Sequence, residues 1–107
     1  MTTTLTGTVA LITGTSSGIG EAIARRLAEH GAAVALVARR RYRLEALARD
    51  IQEAGDTAQV VDADITDPAQ ADAAVTQTVE HFGRLDTLVN NAGLMLLHTT
   101  SASVDRR

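Results

Sequence analysis

Lysine is missing from this sequence: all ten basic residues are arginine. That removes every side-chain amine, and with it a Gly-Lys-Ser/Thr phosphate loop of the nucleotide hydrolases. Cysteine is also absent, which excludes disulfides and thiolate metal sites. Aromatic residues make up only 2%, one Tyr and one Phe, so a core has to be built from Ala, Val, Leu and Ile. No apolar run approaches the roughly 20 residues of a membrane span. The start, Met1 to Leu5, has no charged segment followed by a long apolar stretch, so a signal peptide is not expected and the expected location is cytoplasmic. The net charge of −3 gives no general attraction to nucleic acid. What remains is 107 residues at 45% hydrophobic, enough for one packed domain.

The apolar residues alternate between two periods. Val9–Ile12 and Ala33–Ala38 are short continuous runs, the pattern of parallel strands buried on both faces. Leu85–Val89 is a third run, broken by Asp86 and Thr87, and Ala58–Val61 reads as an edge strand. Between them the spacing becomes helical. Ile19, Ile23 and Leu27 share one face, Leu44, Leu47, Ala48 and Ile51 another, and Ala71, Ala74, Val75, Val79 and Phe82 a third. Asp67 is a good N-cap, Pro68 suits the first helical position, and Gln70 completes capping-box spacing. Gly31, Gly55 and Gly83 stand where helices should stop. Strands and helices therefore alternate, and right-handed crossovers give a parallel α/β sheet. From Leu94 the pattern fails. Residues 98–107 are polar and aperiodic, and a frayed tail is expected there.

The first strand runs into Thr13-Gly14-Thr15-Ser16-Ser17-Gly18-Ile19-Gly20, which opens the first helix. Gly14 permits a tight turn, Gly18 lets a pyrophosphate approach the backbone, and Gly20 lets helix and strand pack closely. The N–H groups at the helix start would hold the phosphates. Three glycines alone also suit a plain strand-to-helix turn. The strand before and the helix after favour the binding reading.

Thr-Gly-x-x-x-Gly-Ile-Gly resembles the pattern of the short-chain dehydrogenase/reductase family, and two further segments match it. Asp64-Ile65-Thr66 follows the third strand, where the resemblance implies an aspartate against the adenine amino group. Asn90-Asn91-Ala92-Gly93 follows the fourth, like the family's Asn-Asn-Ala-Gly. The likeness covers roughly residues 7–97. It implies a Rossmann-type doubly wound sheet of four strands in order 3-2-1-4, with two helices on one face and one on the other. It also implies a dinucleotide site at Gly14, Thr15, Ser17, Gly18, Ile19, Gly20, Asp64, Ile65, Asn91, Ala92 and Gly93. An acid at the end of the second strand would favour NAD by binding both ribose hydroxyls. Here Ala38 takes that place, followed by Arg39-Arg40-Arg41. A 2′-phosphate suits an Arg fork, so the expected cofactor is NADP (NADPH), with Arg39 first and Arg40 and the Thr15 hydroxyl helping. Arg41 and Arg43 read as a solvated helix start. An S-adenosylmethionine site, the runner-up among ligand classes, wants the missing carboxylate.

In the family, a Ser, a Tyr, a Lys four residues after the Tyr and a later Asn do the chemistry, and all would lie beyond residue 107. Tyr42 is the sole Tyr, with Ala46 four positions on, and no Lys exists to serve beside it. A Tyr with no cation beside it ionises near pH ~10 and is a poor acid-base group at neutral pH. His30 and His81 precede helix-ending glycines and favour the helix C-terminus electrostatically. His98 falls in the tail, where a histidine is usually solvated. No catalytic residue and no metal ligand is therefore assigned. The expectation is a truncated, weak dinucleotide-binding half-domain over residues 1–97, inactive by itself. The alternatives are an interaction module and a minimal enzyme completed by another chain. The fourth-strand edge, with Val9, Leu11, Leu85 and Val89 expected to be partly uncovered, points to a homodimer.

Overall fold

The computed structural model describes residues 4–15, 18–39 and 41–91, with the backbone alone at Arg41. The elements run β1 (Val9–Thr13), α1 (Gly18–Glu29), β2 (Ala33–Ala38), α2 (Arg41–Glu53), β3 (Ala58–Asp62), α3 (Pro68–Phe82) and β4 (Thr87–Asn90). All pairings are parallel and the strand order is β3-β2-β1-β4, as expected. Each continuous apolar run became a strand with its side chains shared between two cores. On one face Ala10, Ile12, Val34 and Leu36 pack with α1 and α2. On the other Val9, Leu11, Ala35 and Val37 pack with α3.

Helix α1 differs from its periodicity. Ile19 is 70% exposed, Ile23 and Leu27 are half-buried, and the buried stripe is Gly20, Ala24 and Ala28. The cause is distance. A Cβ on Gly20 would lie 2.4 Å from the Gly14 carbonyl oxygen, so the helix sits too close to the β1 turn for large side chains on that face. Small residues at i, i+4 and i+8 allow that approach, and the branched residues go to the flanks. Helices α2 and α3 follow their patterns, with Leu44, Leu47, Ala48, Ile51, Ala71, Ala74 and Val75 buried. Thr78 is also buried in α3, and its hydroxyl donates to the Ala74 carbonyl at 2.8 Å.

The start of α3 is capped by Asp67, whose carboxylate accepts from Ala69 N at 3.0 Å. Gln70 does not close a capping box. Its Oε1 accepts instead from the backbone of Asp64 at 2.8 Å, while its amide donates to Asp67 at 3.3 Å. The turn before α3 is thereby tied to the end of β3. Gly83 ends the helix at φ 86, donating to Val79 O.

Strand β4 begins at Thr87, two residues later than the apolar run suggested. Asp86 intervenes. Its backbone N–H donates to Val9 O at 2.9 Å, and its carboxylate accepts from Val9 N at 2.8 Å. Asp86 is therefore turned toward β1 and gives no charge to the outer edge of β4. The uncovered apolar patch is also smaller than expected. Val9, Leu11 and Leu85 are buried, covered from the α3 side, and only Val89, with its neighbour Leu88, is half-buried. The 98–107 tail and the Leu94–Leu97 segment lie outside the described residues. Among the described residues no helix is long and apolar enough to cross a membrane.

Candidate functional site

Parallel strands send all their carboxyl ends to one edge of the sheet, and the sequence motifs follow those ends. After β1 the chain turns at Gly14, with φ 68, and Gly14 N donates to Val37 O at 3.1 Å. Helix α1 then starts at Gly18, where a Cβ would meet nothing within 4 Å. Gly18 and Gly20 thus do opposite jobs, one open to a ligand and one pressed against protein. The first turn of an α-helix lacks intrahelical acceptors for its N–H groups, and α1, 12 residues long, starts here. Ile19 is exposed.

Thr15 is buried, and its hydroxyl donates to Val37 O at 3.4 Å. It could donate to a phosphate only by rotating away from that long bond. After β2, Ala38 occupies the position of the missing acid. Arg39 is exposed and makes no ion pair or hydrogen bond among the described residues. After β3, Asp64 Oδ1 accepts from the Thr66 hydroxyl at 2.6 Å and from Thr66 N at 3.0 Å. The hydroxyl bond first, the backbone bond second and the nearby Arg39 charge last hold its carboxyl below the usual carboxylate range, against a small opposing effect of burial. Asp64 is therefore a fixed, ionised acceptor with Oδ2 free of bonds to the described residues. Ile65 is buried in the α3-side core, so its side chain serves packing.

After β4, Asn91 closes the arrangement. Its backbone N–H donates to Thr13 Oγ1 at 3.0 Å, and its side-chain amide donates to the Gly14 carbonyl at 3.4 Å. The Thr13 hydroxyl in turn is shared between Val89 O at 3.3 Å and Asn90 Oδ1 at 3.1 Å. Asn90 and Asn91 thus tie the end of β4 to β1 and the glycine loop. Thr13 is the fully buried centre of that tie and carried no signal in the sequence beyond its place in the motif. Ser17, Arg40, Ala92 and Gly93, and the tail His98, lie outside the described residues.

His30 and His81 both lie at helix C-terminal ends. His81 packs edge-on against Phe82 at the end of α3, and His30 Nδ1 is buried without a hydrogen-bond partner among the described residues. Among the described residues no group of three or more metal-ligating side chains exists. The open backbone at Gly18, the unpaired Arg39 and the fixed Asp64 acceptor fit the pyrophosphate, the ribose end and the adenine amino group of a dinucleotide.

The sequence model of the short chain dehydrogenase family matches residues 8–106. The 11-beta-hydroxysteroid dehydrogenase 1A of Arabidopsis thaliana is 52% identical over 91 residues, covering 84% of this chain and 26% of that protein. An uncharacterized oxidoreductase of Staphylococcus epidermidis is 44% identical over 88 residues, covering 82% of this chain and 37% of that protein. Among solved structures, a metagenomic short-chain oxidoreductase in complex with NADP superposes with a TM-score of 0.79 at 44% identity, over 84% of this chain and 41% of that one. A hydroxysteroid dehydrogenase from Escherichia coli gives a TM-score of 0.80 at 34% identity, over 84% and 38%. The chain thus spans between 26% and 41% of the length of these relatives.

Proposed function

Because the chain belongs to the short-chain dehydrogenase family of oxidoreductases, we propose that residues 1–97 form its NADP-binding part and hold the cofactor at the carboxyl ends of the four strands. In this reading the backbone at Gly18 receives the pyrophosphate and Asp64 Oδ2 accepts from the adenine amino group. Arg39, with Arg40 beside it in sequence, binds the 2′-phosphate. Asn91 keeps the glycine loop in register with β4, and Ala92 and Gly93 continue that loop. When bound, the nicotinamide supplies hydride transfer. These residues supply binding and orientation. The relative solved with NADP supports the choice of cofactor, and the observation that carries it is Arg39, unpaired beside Ala38.

One charge-assisted contact is worth about 1.5–3 kcal/mol, so NADPH should bind roughly 10- to 150-fold tighter than NADH. Calorimetric titration with both cofactors tests this. Arg39→Asp should reverse the order, and equal affinities in the wild type would remove the reading. Absolute affinity of the 107-residue polypeptide should be weak, in the micromolar to millimolar range. Catalysis by it alone is not expected. Tyr42 is exposed on α2, no lysine stands beside it, and no residue here is assigned an acid-base role. Cofactor-dependent turnover by the purified polypeptide, abolished by Gly18→Trp, would contradict that. A second reading, self-association of the polypeptide into a two-fold dimer, is favoured by the half-buried Leu88 and Val89 on β4.

A further inference from the structure

An open groove of about 710 Å³ runs along β3, which has β2 on one side and no strand on the other among the described residues. Glu45, Ala48, Arg49 and Gln52 line it from α2, Val60 from β3 and His81 from the end of α3. The backbone groups of β3 alternate in direction. Val34 N–H donates to Thr57 O at 3.0 Å and Ala63 N–H donates to Ala38 O at 3.2 Å, so the odd-numbered residues turn toward β2. The even-numbered ones, Ala58, Val60 and Asp62, turn their N–H and C=O groups to the outer edge. Gln52 Nε2 engages one of these groups, donating to Ala58 O at 3.0 Å. The strand sequence Ala-Gln-Val-Val-Asp holds no Lys or Pro to guard that edge against pairing.

The α2 wall carries one charge of each sign. Arg49 is exposed and makes no ion pair or hydrogen bond among the described residues. Glu45 is exposed one turn before it on the same wall. The Gln52 bond fixes how α2 lies along β3, since the helix runs back against the strand. From Gln52, the point midway between Glu45 and Arg49 is about 7.5 Å up the helix. From Ala58, Val60 is about 6.6 Å along the strand. The acid and the base therefore stand on either side of the level of Val60, at nearly equal distances. A surface so arranged complements itself under a two-fold axis.

We propose that a second copy of this chain docks in the groove: the outer edges of β3 pair antiparallel about a two-fold axis at Val60, and Glu45 of each copy meets Arg49 of the other. Val60 and its counterpart exchange both N–H···O bonds. Their side chains, each half-buried against the α2-side core, form the apolar centre of the contact. Asp62 falls opposite Ala58 of the other copy, which keeps the two carboxylates apart. A pairing centred on Asp62 would set them face to face. The contact does not depend on the cofactor reading, and it lies at the end of the sheet opposite β4. With one apolar side chain at its centre, against Leu88 and Val89 on β4, it is the weaker of the two contacts and forms above the micromolar range.

The test reads the β3 contact separately from β4. In the wild type, which needs no substitution, amide hydrogen exchange at Val60 should slow as the concentration rises from about 10 to about 500 μM. Sedimentation then uses Val89→Lys, to silence β4. It should show a dimer at about 500 μM that dissociates on dilution to the low micromolar range. In that background Glu45→Arg or Arg49→Glu alone sets like charges together at both contacts and should weaken association about tenfold. Glu45→Arg combined with Arg49→Glu should restore it. Both positions are exposed, so the variants should fold, and circular dichroism checks that they do. Val60→Pro removes an N–H that faces the outer edge, where proline is tolerated, and should leave a monomer. Val60 exchange that is independent of concentration, with a monomer throughout, would leave the edge to some other chain and overturn the proposal. So would a dimer that Val60→Pro leaves intact, or single reversals that the double exchange does not rescue.

Discussion

Gly18 and Gly20 are two residues apart in one helical turn, yet a methyl group added to each should have unrelated effects. At Gly20 the new Cβ would stand 2.4 Å from the Gly14 carbonyl oxygen, 2.9 Å from Gly14 C and 2.9 Å from Asn91 Nδ2. Two of those atoms are backbone in the tight β1–α1 turn and cannot swing aside. Either α1 must move off the sheet, opening the packing around Ala24 and Ala28, or the turn must distort. Overpacking of this kind costs about 1–3 kcal/mol. At Gly18 the new Cβ would meet nothing within 4 Å, and no positive φ forbids it. Gly→Ala at a compatible site stabilises by about 0.4–1 kcal/mol through the unfolded chain. Urea denaturation separates the two. With a slope of about 1–2 kcal/mol per M, Gly20→Ala should lower the midpoint by roughly 0.5–3 M, while Gly18→Ala should leave it level or raise it slightly. Cofactor titration should invert the ranking for Gly18→Ala, whose methyl occupies the space proposed for the pyrophosphate. Adding Asn91→Ala to Gly20→Ala relieves only the side-chain contact, so it should recover little of the loss. Full recovery, or a wild-type midpoint in Gly20→Ala, would refute the argument that backbone sets this distance.

Thr13→Val should cost about 1–3 kcal/mol by chemical denaturation, because Asn91 N–H loses its buried acceptor and Asn90 its donor. A cost below about 0.5 kcal/mol, half the usual net bond, would show that water replaces the hydroxyl. Asp86 is held below the ordinary carboxylate range by Arg84 first and Val9 N–H second. A depressed folded pKa contributes stability that is present above the unfolded value, near pH ~3.9, and is lost as pH falls through the folded value. Wild-type stability should therefore decline on acidification below about pH 4 more steeply than that of Asp86→Asn, and parallel curves would remove that assignment. Sedimentation of the polypeptide at micromolar concentration should show a dimer, weakened by Val89→Lys on the β4 strand. A monomer of 11.2 kDa would end the self-association reading.

Much of this architecture was legible in the residues. The continuous runs at Val9 and Ala33 have the pattern of strands covered on both faces and became such strands, and Gly31, Gly55 and Gly83 took positive φ where helices end. Periodicity failed where distance overruled hydrophobicity. A helical wheel ranks Ile19, Ile23 and Leu27 above Gly20, Ala24 and Ala28, but it cannot know that the turn at Gly14 holds the helix close. Polar side chains that bond to distant backbone were equally hidden. Nothing local to Asp86 announces Val9, 77 positions away, nor does Gln70 announce the amide of Asp64. The site motifs were visible because each follows a strand end. The Glu21–Arg25–Asp50 cluster joins two helices and belongs to no motif.

The sheet also acts as a partition. Leu36 and Val37 are neighbours in the chain, but one packs with α1 and α2 and the other with α3. Energetically they live in separate rooms that share a wall of backbone. A void made by shortening Leu36 cannot be filled by anything from the α3 side, since filling it would require β2 to turn over. Damage on either side therefore stays local in its packing. It becomes common to both only when the wall itself gives way, and that wall is the same set of strands whose ends carry the binding edge.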